Sequence, residues 1–448
     1  MPNSYCLDPF MDALEKRAPR ETEFHQAVRE LAQDIIPIIN DTPAFQDACL
    51  LERITEPDRV ISFRIVWERD DGSVAVNRGY RVQFNGAIGP YKGGLRLHPK
   101  VTPSVLKFLG FEQTFKNALT GLPMGGAKGG ADFDPSGCSD AEIERFCAAM
   151  MTELHRHIGP DRDIPAGDIN VGAREIGYLF GAYRRITGNH QGVLTGKGLS
   201  YGGSEMRTEA TGYGVIYFLQ EMLEAAGRDL DGLRVAISGA GNVATYAAEM
   251  AIARGAKVIT LSDSKGLVVD EEGFTTEKLA WVRDLKSGSG GTLEDFCAEF
   301  GADWHEGEAP WRVACDVALP CATQNELDAD AAKQLLENGC IAIAEGANMP
   351  LTAGARDVIR KSDCLFGPAK AANAGGVAVS GLEIWQNRRR RSVARDTIAD
   401  ALKTLMSDIH DQCAEEGCGQ GRKIDYARGA NIAGFKTVAR AMVAQGIR

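Results

Sequence analysis

The periodicity of hydrophobic and polar positions changes about halfway along the chain. In the first 200 residues, stretches with helical spacing alternate with short strand-like runs. Helices are predicted at 13–16, 22–39, 103–119 and 139–157, and strands at 59–66 and 80–84. Asp70-Asp71-Gly72 lies between the two strands and predicts a hairpin turn. A polar, glycine-rich stretch at 188–203 is typical of a connection between domains.

From Leu233 onward, apolar strands and helices alternate regularly. The strands are predicted at 233–238, 256–261, 317–319, 341–344 and 364–366, and a helix is predicted from about 242 to 254. This rhythm is typical of a doubly wound parallel sheet. We therefore predict an α/β protein with two domains and a cleft between them. Residues 1–200 form the first domain, rejoined by C-terminal helices at 376–448, and residues 201–375 form a Rossmann-type domain.

The composition excludes several classes of function. The formal net charge of −11 and the pI of about 5.3 argue against a nucleic-acid-binding surface. No apolar run approaches the ~20 residues that a membrane helix requires, and the N-terminus lacks the basic and apolar regions of a secretion signal. The 11 cysteines are scattered, and neither they nor His155 and His157 have metal-ligand spacing. We expect a cytoplasmic protein without a metal site.

The most distinctive stretch is glycine-rich and spans 122–130, with a single lysine, Lys128. Its spacing resembles a phosphate-binding P-loop, but Ala127 and Gly129 stand where that motif requires glycine and serine or threonine. A solvated surface loop is the ordinary interpretation of such a stretch. If Lys128 is instead held away from water near other cations, its pKa is depressed, and it becomes a candidate acid–base group.

A second glycine motif follows the first strand of the Rossmann-type region. Gly239, Gly241 and Ala244 form G-x-G-x-x-A between a predicted strand and helix, as dinucleotide binding requires. Asp263 follows 24 positions after Gly239, where an acid usually bonds the ribose hydroxyls of NAD. However, nearby serines and basic residues could instead accept the 2′-phosphate of NADP. The motif predicts nucleotide binding and leaves the choice of cofactor open.

Other charged residues accompany Lys128. Lys92 lies in a second Lys-Gly-Gly element, Lys116 and Gln113 share one helix face, and Asp168 follows a run of small residues. Three lysines that converge in a closed site need anionic partners. A dicarboxylate substrate supplies two.

Eight segments of the chain together resemble the hexameric glutamate dehydrogenase family, and within it the NADP-dependent biosynthetic branch of bacteria and fungi. The segments are PYKGGLR, FEQTFKNALTGLPMGGAKGG, PAGDI, ATGYG, SGAGNVA, ALPCATQNEL, AEGAN and KAANAGGVAVSGLE. They occur in the family's order between about residues 60 and 440.

The resemblance implies specific roles for the singled-out residues. Lys128 matches the catalytic lysine, and Asp168 matches the aspartate that moves protons to and from the amino group. The matching substrate-binding residues are Lys116 and Gln113 for the α-carboxylate, Lys92 and Ser380 for the γ-carboxylate, and Gly167. The matching cofactor-binding residues are Thr211, Gly239, Gly241, Asn242, Val243, Asp263, Ser264, Lys286 and Asn348.

The resemblance also implies a reaction and an assembly. The reaction is the reversible amination of 2-oxoglutarate with ammonium to L-glutamate, with NADPH as hydride donor, and the assembly is a homohexamer. The alternatives are an enzyme that uses NAD or both cofactors, a leucine, phenylalanine or valine dehydrogenase of the same superfamily, and an inactive nucleotide-binding scaffold. The presence of both Lys128 and Asp168 argues against the scaffold.

Three features depart from the family pattern. Asn170 stands where glycine is expected and could alter the loop that carries Asp168. Thr208 stands where proline is common. The run Arg388–Arg391 is unusual, and a solvated or intersubunit helix face explains it better than a nucleic-acid site does.

Overall fold

The computed structural model describes residues 4–285, 292–419 and 423–446. The chain forms two compact units. The first comprises Met1–Glu205, Val379–Ile398 and Asn431–Arg448, and the second comprises Met206–Ala378 and Ala399–Ala430. Each unit combines helices with one sheet, so the predicted α/β class with two domains is confirmed. No helix within the described ranges is long and apolar enough to cross a membrane.

The first unit is built on a five-stranded sheet. Its elements before residue 205 are α1 (Leu7–Arg17), α2 (Thr22–Asn40), α3 (Pro43–Asp47), α4 (Leu50–Ile54), β1 (Arg59–Glu68), β2 (Val74–Asn85), β3 (Tyr91–Leu97), α5 (Pro103–Leu119), β4 (Gly126–Ala131), α6 (Asp140–Leu154), β5 (Asp163–Gly167) and α7 (Ala173–Thr187). The strand order is β1-β2-β4-β3-β5. β3 runs parallel to both β4 and β5, so the carboxyl-terminal ends of these three strands lie at one edge of the sheet.

Two of the local predictions are confirmed in detail. β1 and β2 form the predicted hairpin, in which Gly72 has a φ of 80° and the Asp71 carboxylate accepts a hydrogen bond of 2.8 Å from the Ser73 N–H. The helix predicted at 103–119 is α5. Pro103 occupies its first turn, and the Thr102 hydroxyl caps it by accepting a hydrogen bond from the Val105 N–H.

The predicted loop over the glycine-rich stretch is wrong for its second half. Residues from Gly126 onward form β4, a central strand whose six residues are all buried. Its glycines allow close contact with neighbouring elements: a β-carbon on Gly126 would overlap Thr114 of α5, and one on Gly130 would overlap the Arg96 carbonyl. Because glycine is rare in strands, its abundance in this segment favoured the prediction of a loop over that of a strand.

Gly93 of β3 shows how tightly this region is packed. A β-carbon there would overlap the carbonyl oxygen of Ala127, a backbone atom in the middle of the sheet. We expect Gly93→Ala to destabilise the protein by about 3 kcal/mol in denaturant unfolding, because the backbone must shift to admit the methyl group. Gly159→Ala is the matched control, since nothing lies within 4 Å of the added carbon, and it should remain within about 1 kcal/mol of wild type. Equal stability of the two variants would contradict this packing.

The elements after residue 205 include a seven-stranded sheet. They are α8 (Ala210–Ala225), β6 (Arg234–Ile237), α9 (Asn242–Ala253), β7 (Lys257–Ser262), β8 (Gly266–Val269), α10 (Thr276–Asp284), α11 (Leu293–Phe300), β9 (Asp303–Glu306), β10 (Val317–Leu319), α12 (Ala329–Glu337), β11 (Ala342–Ala344), α13 (Ala353–Arg360), β12 (Leu365–Gly367), α14 (Ala369–Ala372), α15 (Gly375–Arg389), α16 (Arg395–Gly417) and α17 (Tyr426–Ala444). The strand order is β12-β11-β10-β6-β7-β8-β9.

The predicted parallel sheet accounts for five of these seven strands. β12, β11, β10, β6 and β7 are parallel, whereas β8 is antiparallel to both β7 and β9. β8 and β9 were not predicted, because each has only four residues and β9 is almost entirely polar. The chain order reverses beside β6, between β10 and β7, and ligands of such sheets bind at this position.

The C-terminal helices do not all belong to the first unit. The predicted boundary placed 376–448 there, whereas the structure assigns Ala399–Ala430 to the second unit. The reason is aromatic packing on α8: the rings of His410 and Tyr426 each lie 5.8 Å from that of Phe218. The amphipathic pattern of these helices predicts a buried face without identifying the unit that covers it.

Candidate active site

Lys128 lies in the middle of β4 and contacts Asp168, the residue that follows β5. The lysine side chain is 4% exposed, and its Nζ donates a hydrogen bond of 2.6 Å to Oδ1 of Asp168. β3 separates the two strands in the sheet, and a β-carbon on Gly94 of β3 would lie 2.8 Å from Cβ of Asp168. A glycine at this position therefore leaves room for the aspartate.

Arg96 completes this cluster, although no role was predicted for it from the sequence. Its Nε donates a hydrogen bond of 2.7 Å to Oδ2 of Asp168, so each carboxylate oxygen is bound by a different cation. The only signal in the sequence was a charged residue inside the glycine-rich segment PYKGGLR. Its partner lies 72 positions away, which no local pattern shows.

The cluster shifts the pKa values of both of its titratable groups. Burial alone would raise the pKa of Asp168, but the charges and hydrogen bonds of Lys128 and Arg96 outweigh it and hold the pKa well below its usual range. The ionised carboxylate thus stabilises the folded state at neutral pH. This stabilisation is lost only when the pH falls below the pKa of an unfolded aspartate and toward the lower pKa of Asp168 in the folded protein. Burial lowers the pKa of Lys128, Asp168 opposes this, and Arg96 adds to it. The predicted depression of the lysine pKa is confirmed.

Two further lysines are buried in the same unit. Lys92 of β3 is 3% exposed and Lys116 of α5 is 8% exposed. Asn117 holds their backbones together, because its Nδ2 donates to the carbonyl oxygens of Lys92 (3.1 Å) and Gly125. Asn117 also accepts a 2.7 Å hydrogen bond from Gln113 through its Oδ1. The face of α5 that carries the predicted substrate residues is therefore fixed to the start of β4.

Ser380 and Thr195 are buried polar residues of the first unit. Ser380 lies on α15 and is 2% exposed, and a β-carbon on the next residue, Gly381, would lie 3.1 Å from Met124 just before β4. Thr195 was not predicted. Its N–H donates to the Pro165 carbonyl (3.0 Å), and its buried hydroxyl has no hydrogen-bond partner in the described part of the chain. An unsatisfied buried hydroxyl of this kind is a candidate ligand contact.

The loop that carries Asp168 retains its shape despite Asn170. Asn170 adopts a left-handed conformation with a φ of 57°, which asparagine tolerates better than most residues, and its Nδ2 donates to the Leu97 carbonyl at 2.9 Å. Gly167 ends β5, and a β-carbon there would overlap the Val171 carbonyl. The departure from glycine at residue 170 is therefore accommodated. Nothing in the structure explains Thr208.

The second unit contains the predicted dinucleotide turn. Gly239 follows β6 with a φ of 85°, and its N–H donates a hydrogen bond of 3.0 Å to Oγ of Ser262. Space is open beside Gly241, where no atom lies within 4 Å of an added β-carbon, and Asn242 begins α9. These features fit a phosphate group at the helix N-terminus.

The remaining predicted cofactor residues lie in the same unit. Val243 is in the first turn of α9, 3.1 Å from a β-carbon built on Gly346, and Thr211 is in the first turn of α8. Asp263 accepts a hydrogen bond from the Lys265 N–H (2.9 Å), Ser264 is exposed, and Asn348 is exposed and bonded to Asn373. Lys286 lies outside the described residues. No group of metal-binding side chains was found among the residues that the structure describes.

Comparison with known proteins gives matches over nearly the whole chain. The model "Glutamate/Leucine/Phenylalanine/Valine dehydrogenase" matches residues 202–446, and "Glu/Leu/Phe/Val dehydrogenase, dimerisation domain" matches residues 57–185. The NADP-specific glutamate dehydrogenases of Salmonella typhimurium and Escherichia coli are 56% and 55% identical over 447 residues, covering 100% of each chain. The solved structure of Plasmodium falciparum glutamate dehydrogenase is 46% identical with a TM-score of 0.95, covering 98% of this chain and 94% of that one. The chain belongs to the glutamate/leucine/phenylalanine/valine dehydrogenase family.

Proposed function

We propose that this protein is an NADP-dependent glutamate dehydrogenase that interconverts 2-oxoglutarate, ammonium, NADPH and a proton with L-glutamate, water and NADP⁺. The observation that carries the proposal is the buried Lys128–Asp168 pair, with a 2.6 Å hydrogen bond, in a chain that is 56% identical along its whole length to an NADP-specific glutamate dehydrogenase. Both groups of this pair have a shifted pKa, and because perturbed pKa values cluster at functional sites, the pair favours an enzyme over a scaffold.

We assign the substrate's two carboxylates to opposite ends of a cationic site. Lys92 and Ser380 receive the γ-carboxylate, and Lys116 with Gln113 receives the α-carboxylate. The unsatisfied hydroxyl of Thr195 is a further candidate contact for the substrate. Lys92 and Lys116 are buried cations, so the charge of this site is complementary to an anionic ligand and not to an apolar one. A preference for a side-chain carboxylate distinguishes glutamate from leucine, phenylalanine and valine as substrates.

Proton transfer follows from the charge states of the cluster. An ionised Asp168 accepts a proton from the α-ammonium group of glutamate, which must be neutral before hydride can leave Cα. Loss of that hydride from the neutral amine gives 2-iminoglutarate with a protonated imine nitrogen. Neutral Lys128, with its depressed pKa, then takes a proton from the attacking water, which gives the carbinolamine. Asp168 returns its proton to the amino group, which leaves as ammonia while the hydroxyl group loses its proton and becomes the carbonyl of 2-oxoglutarate.

The cofactor is NADP(H), which, when bound, accepts or supplies the hydride. We assign it to the Gly239–Gly241 turn and the start of α9, with Thr211, Val243 and Asn348 nearby. Asp263, Ser264 and Lys286 are the residues assigned to the adenosine ribose and its 2′-phosphate. NAD or dual use remains the alternative, because Asp263 is an acid at the position where NAD-binding proteins usually carry one.

Initial rates of amino-acid oxidation with NADP⁺ test the substrate assignment. We expect kcat/KM for glutamate to exceed the values for leucine, phenylalanine and valine by about 10⁴-fold, because an apolar side chain cannot make the polar contacts that Lys92 and Ser380 offer to a carboxylate. Comparable oxidation of leucine or phenylalanine would contradict the roles given to Lys92 and Ser380.

Arg96 should set the pH range of the reaction. Its charge lowers the pKa of Lys128, so Arg96→Gln should raise that pKa. Glutamate oxidation requires neutral Lys128, and the rising limb of kcat/KM against pH should therefore move toward higher pH. The control is Arg78→Gln, which removes the same charge from an exposed position of β2. Identical pH profiles for the wild type and Arg96→Gln would contradict this coupling.

We propose a cytoplasmic homohexamer. The proposal rests on the family resemblance and on the match of residues 57–185 to a dimerisation domain. We further propose a role for each predicted domain. The substrate and the oligomer contacts belong to the domain formed by 1–200 with C-terminal helices from 376–448, and the dinucleotide belongs to the domain formed by 201–375. Light scattering should give a mass of about six times the 48.2 kDa of one chain. A monomer or dimer would contradict the assembly.

A further inference from the structure

A polar cavity of about 630 Å³ lies in the first unit, at the C-terminal end of α15. Its wall is formed by 188–192, 202–203, 386–387 and 390–392. No role assigned above to the substrate or cofactor residues involves it. The ionisable residues that line it are His190, Arg390 and Arg391, all of them basic, and no acidic residue is among its lining residues.

The four consecutive arginines at this point differ in what they contact. Arg388 pairs with Asp161 at 2.7 Å, and Arg389 stacks on the ring of Trp385 at 4.3 Å. The guanidinium groups of Arg390 and Arg391 make no hydrogen bond or ion pair within 4–285, 292–419 and 423–446. Arg390 and Arg391, which line the cavity, thus differ from Arg388 and Arg389 in having neither an ion pair nor a ring contact among the described residues.

The wall of the cavity is held in place by the amide side chains of Gln386, which is buried, and Asn387, which is half-buried. Gln386 donates a 2.7 Å hydrogen bond to Ser204 and accepts one from the Val393 N–H, and Asn387 donates to the Gly202 carbonyl at 2.7 Å. The Arg390 and Arg391 N–H groups bond back to carbonyl oxygens of the last turn of α15. The site is therefore organised before any ligand arrives, which favours binding.

We propose that this cavity binds a small organic anion with two or more negative charges, a phosphate ester or a polycarboxylate. Two guanidinium groups offer paired N–H donors that match phosphate and carboxylate oxygens, and the ring of His190 can offer a further N–H donor. Cations beyond a helix C-terminus also offset the helix dipole, but the dipole does not account for a cavity with basic lining on both of its walls.

The cavity is connected to the proposed substrate site by one helix. Gln386 lies one turn beyond Glu383, and Glu383 lies one turn beyond Ser380. Glu383 is fully buried and accepts hydrogen bonds from Lys197 Nζ (2.7 Å) and the Gly196 N–H (2.8 Å). We infer, resting on the proposed function, that an anion in the cavity alters binding of the γ-carboxylate at Ser380 through α15.

Calorimetric titration with pyrophosphate and with citrate, in the presence of NADP⁺ to fill the dinucleotide turn, tests the site. We expect one site per chain, and at least tenfold weaker binding by the double variant Arg390→Ala/Arg391→Ala. The control Arg388→Ala/Arg389→Ala removes the same charge from the same segment and should bind like the wild type. Binding of pyrophosphate alone would identify a phosphate ester, and binding of citrate alone a polycarboxylate. The absence of saturable binding, or equal weakening in both variants, would overturn the proposal.

Steady-state kinetics test the connection separately. With saturating NADPH, the anion that binds should change the KM for 2-oxoglutarate at least twofold in the wild type and the control, and not in Arg390→Ala/Arg391→Ala. An unchanged KM with a bound anion contradicts the connection through α15. Because calorimetry needs no turnover, an inactive protein that still binds the anion would contradict the proposed function and not the site.

Discussion

Asp168→Asn should lower kcat for glutamate oxidation by about 10²–10⁴-fold, the range that a positioned proton acceptor contributes. Asparagine has nearly the same shape and can still accept a hydrogen bond from Lys128, but it cannot take the proton from the substrate's ammonium group. Binding of NADP⁺ should be unchanged, since the residues assigned to it are in the other unit. Steady-state kinetics together with cofactor titration measure both effects.

Two measurements separate this loss from a structural defect. Asp163→Asn, at the first residue of β5, is the control. The Asp163 carboxylate pairs with Arg81, and both side chains are 0% exposed, so the variant should lose about 3–5 kcal/mol of stability but retain kcat per folded molecule. With glutamate deuterated at Cα, the isotope effect on kcat should approach one in Asp168→Asn, because proton transfer becomes limiting. A kcat within tenfold of wild type, or a larger isotope effect, would contradict the role of Asp168.

Lys128→Met should have a comparably large effect, again about 10²–10⁴ in kcat. Methionine has a similar length and fits the buried strand, so the backbone of β4 should be preserved while the proton acceptor for water is lost. The residual activity should no longer depend on pH through the depressed pKa of this lysine. The pH profile of kcat measured for both proteins gives the comparison.

Lys107→Met is the matched control for Lys128→Met. Lys107 is also a buried lysine paired with a carboxylate, Glu21, at 2.5 Å, but it lies on α5 outside the assigned site. Its loss should reduce stability and leave kcat within a few-fold of wild type. If both lysine variants lost activity equally, Lys128 would have no special chemical role.

Local signals in the sequence were sufficient for the elements whose start is set by neighbouring residues. Pro103 with the Thr102 cap defines α5, and the apolar run Val317–Leu319 defines β10. β4 could not be predicted in this way. Its glycines have no strand propensity. They are needed in this strand because only glycine lets Thr114 and the Arg96 carbonyl approach the β4 backbone so closely. This close packing exists only in the assembled sheet and cannot be read from the local sequence.

The same distinction applies to the candidate site. Lys92, Lys116, Lys128 and Asp168 were identified from glycine context and family resemblance, and the structure places all four in one unit. Arg96 and Thr195 were not predicted, because only the folded structure shows their surroundings. Arg96 binds Asp168, which is distant in the sequence. The Thr195 hydroxyl is buried without a hydrogen-bond partner among the described residues. The allocation of Ala399–Ala430 to the second unit was missed for a similar reason, since packing on Phe218 is not visible in a helical pattern.

The most direct test of the proposed function is the initial rate of 2-oxoglutarate amination with saturating ammonium, comparing NADPH with NADH. We expect rapid oxidation of NADPH, with kcat/KM at least tenfold above that for NADH. A preference for NADH would retain the reaction and contradict the cofactor assignment at Asp263 and Ser264. No turnover with either cofactor, in a protein that is folded and binds NADP⁺, would contradict the proposal that this chain is a glutamate dehydrogenase.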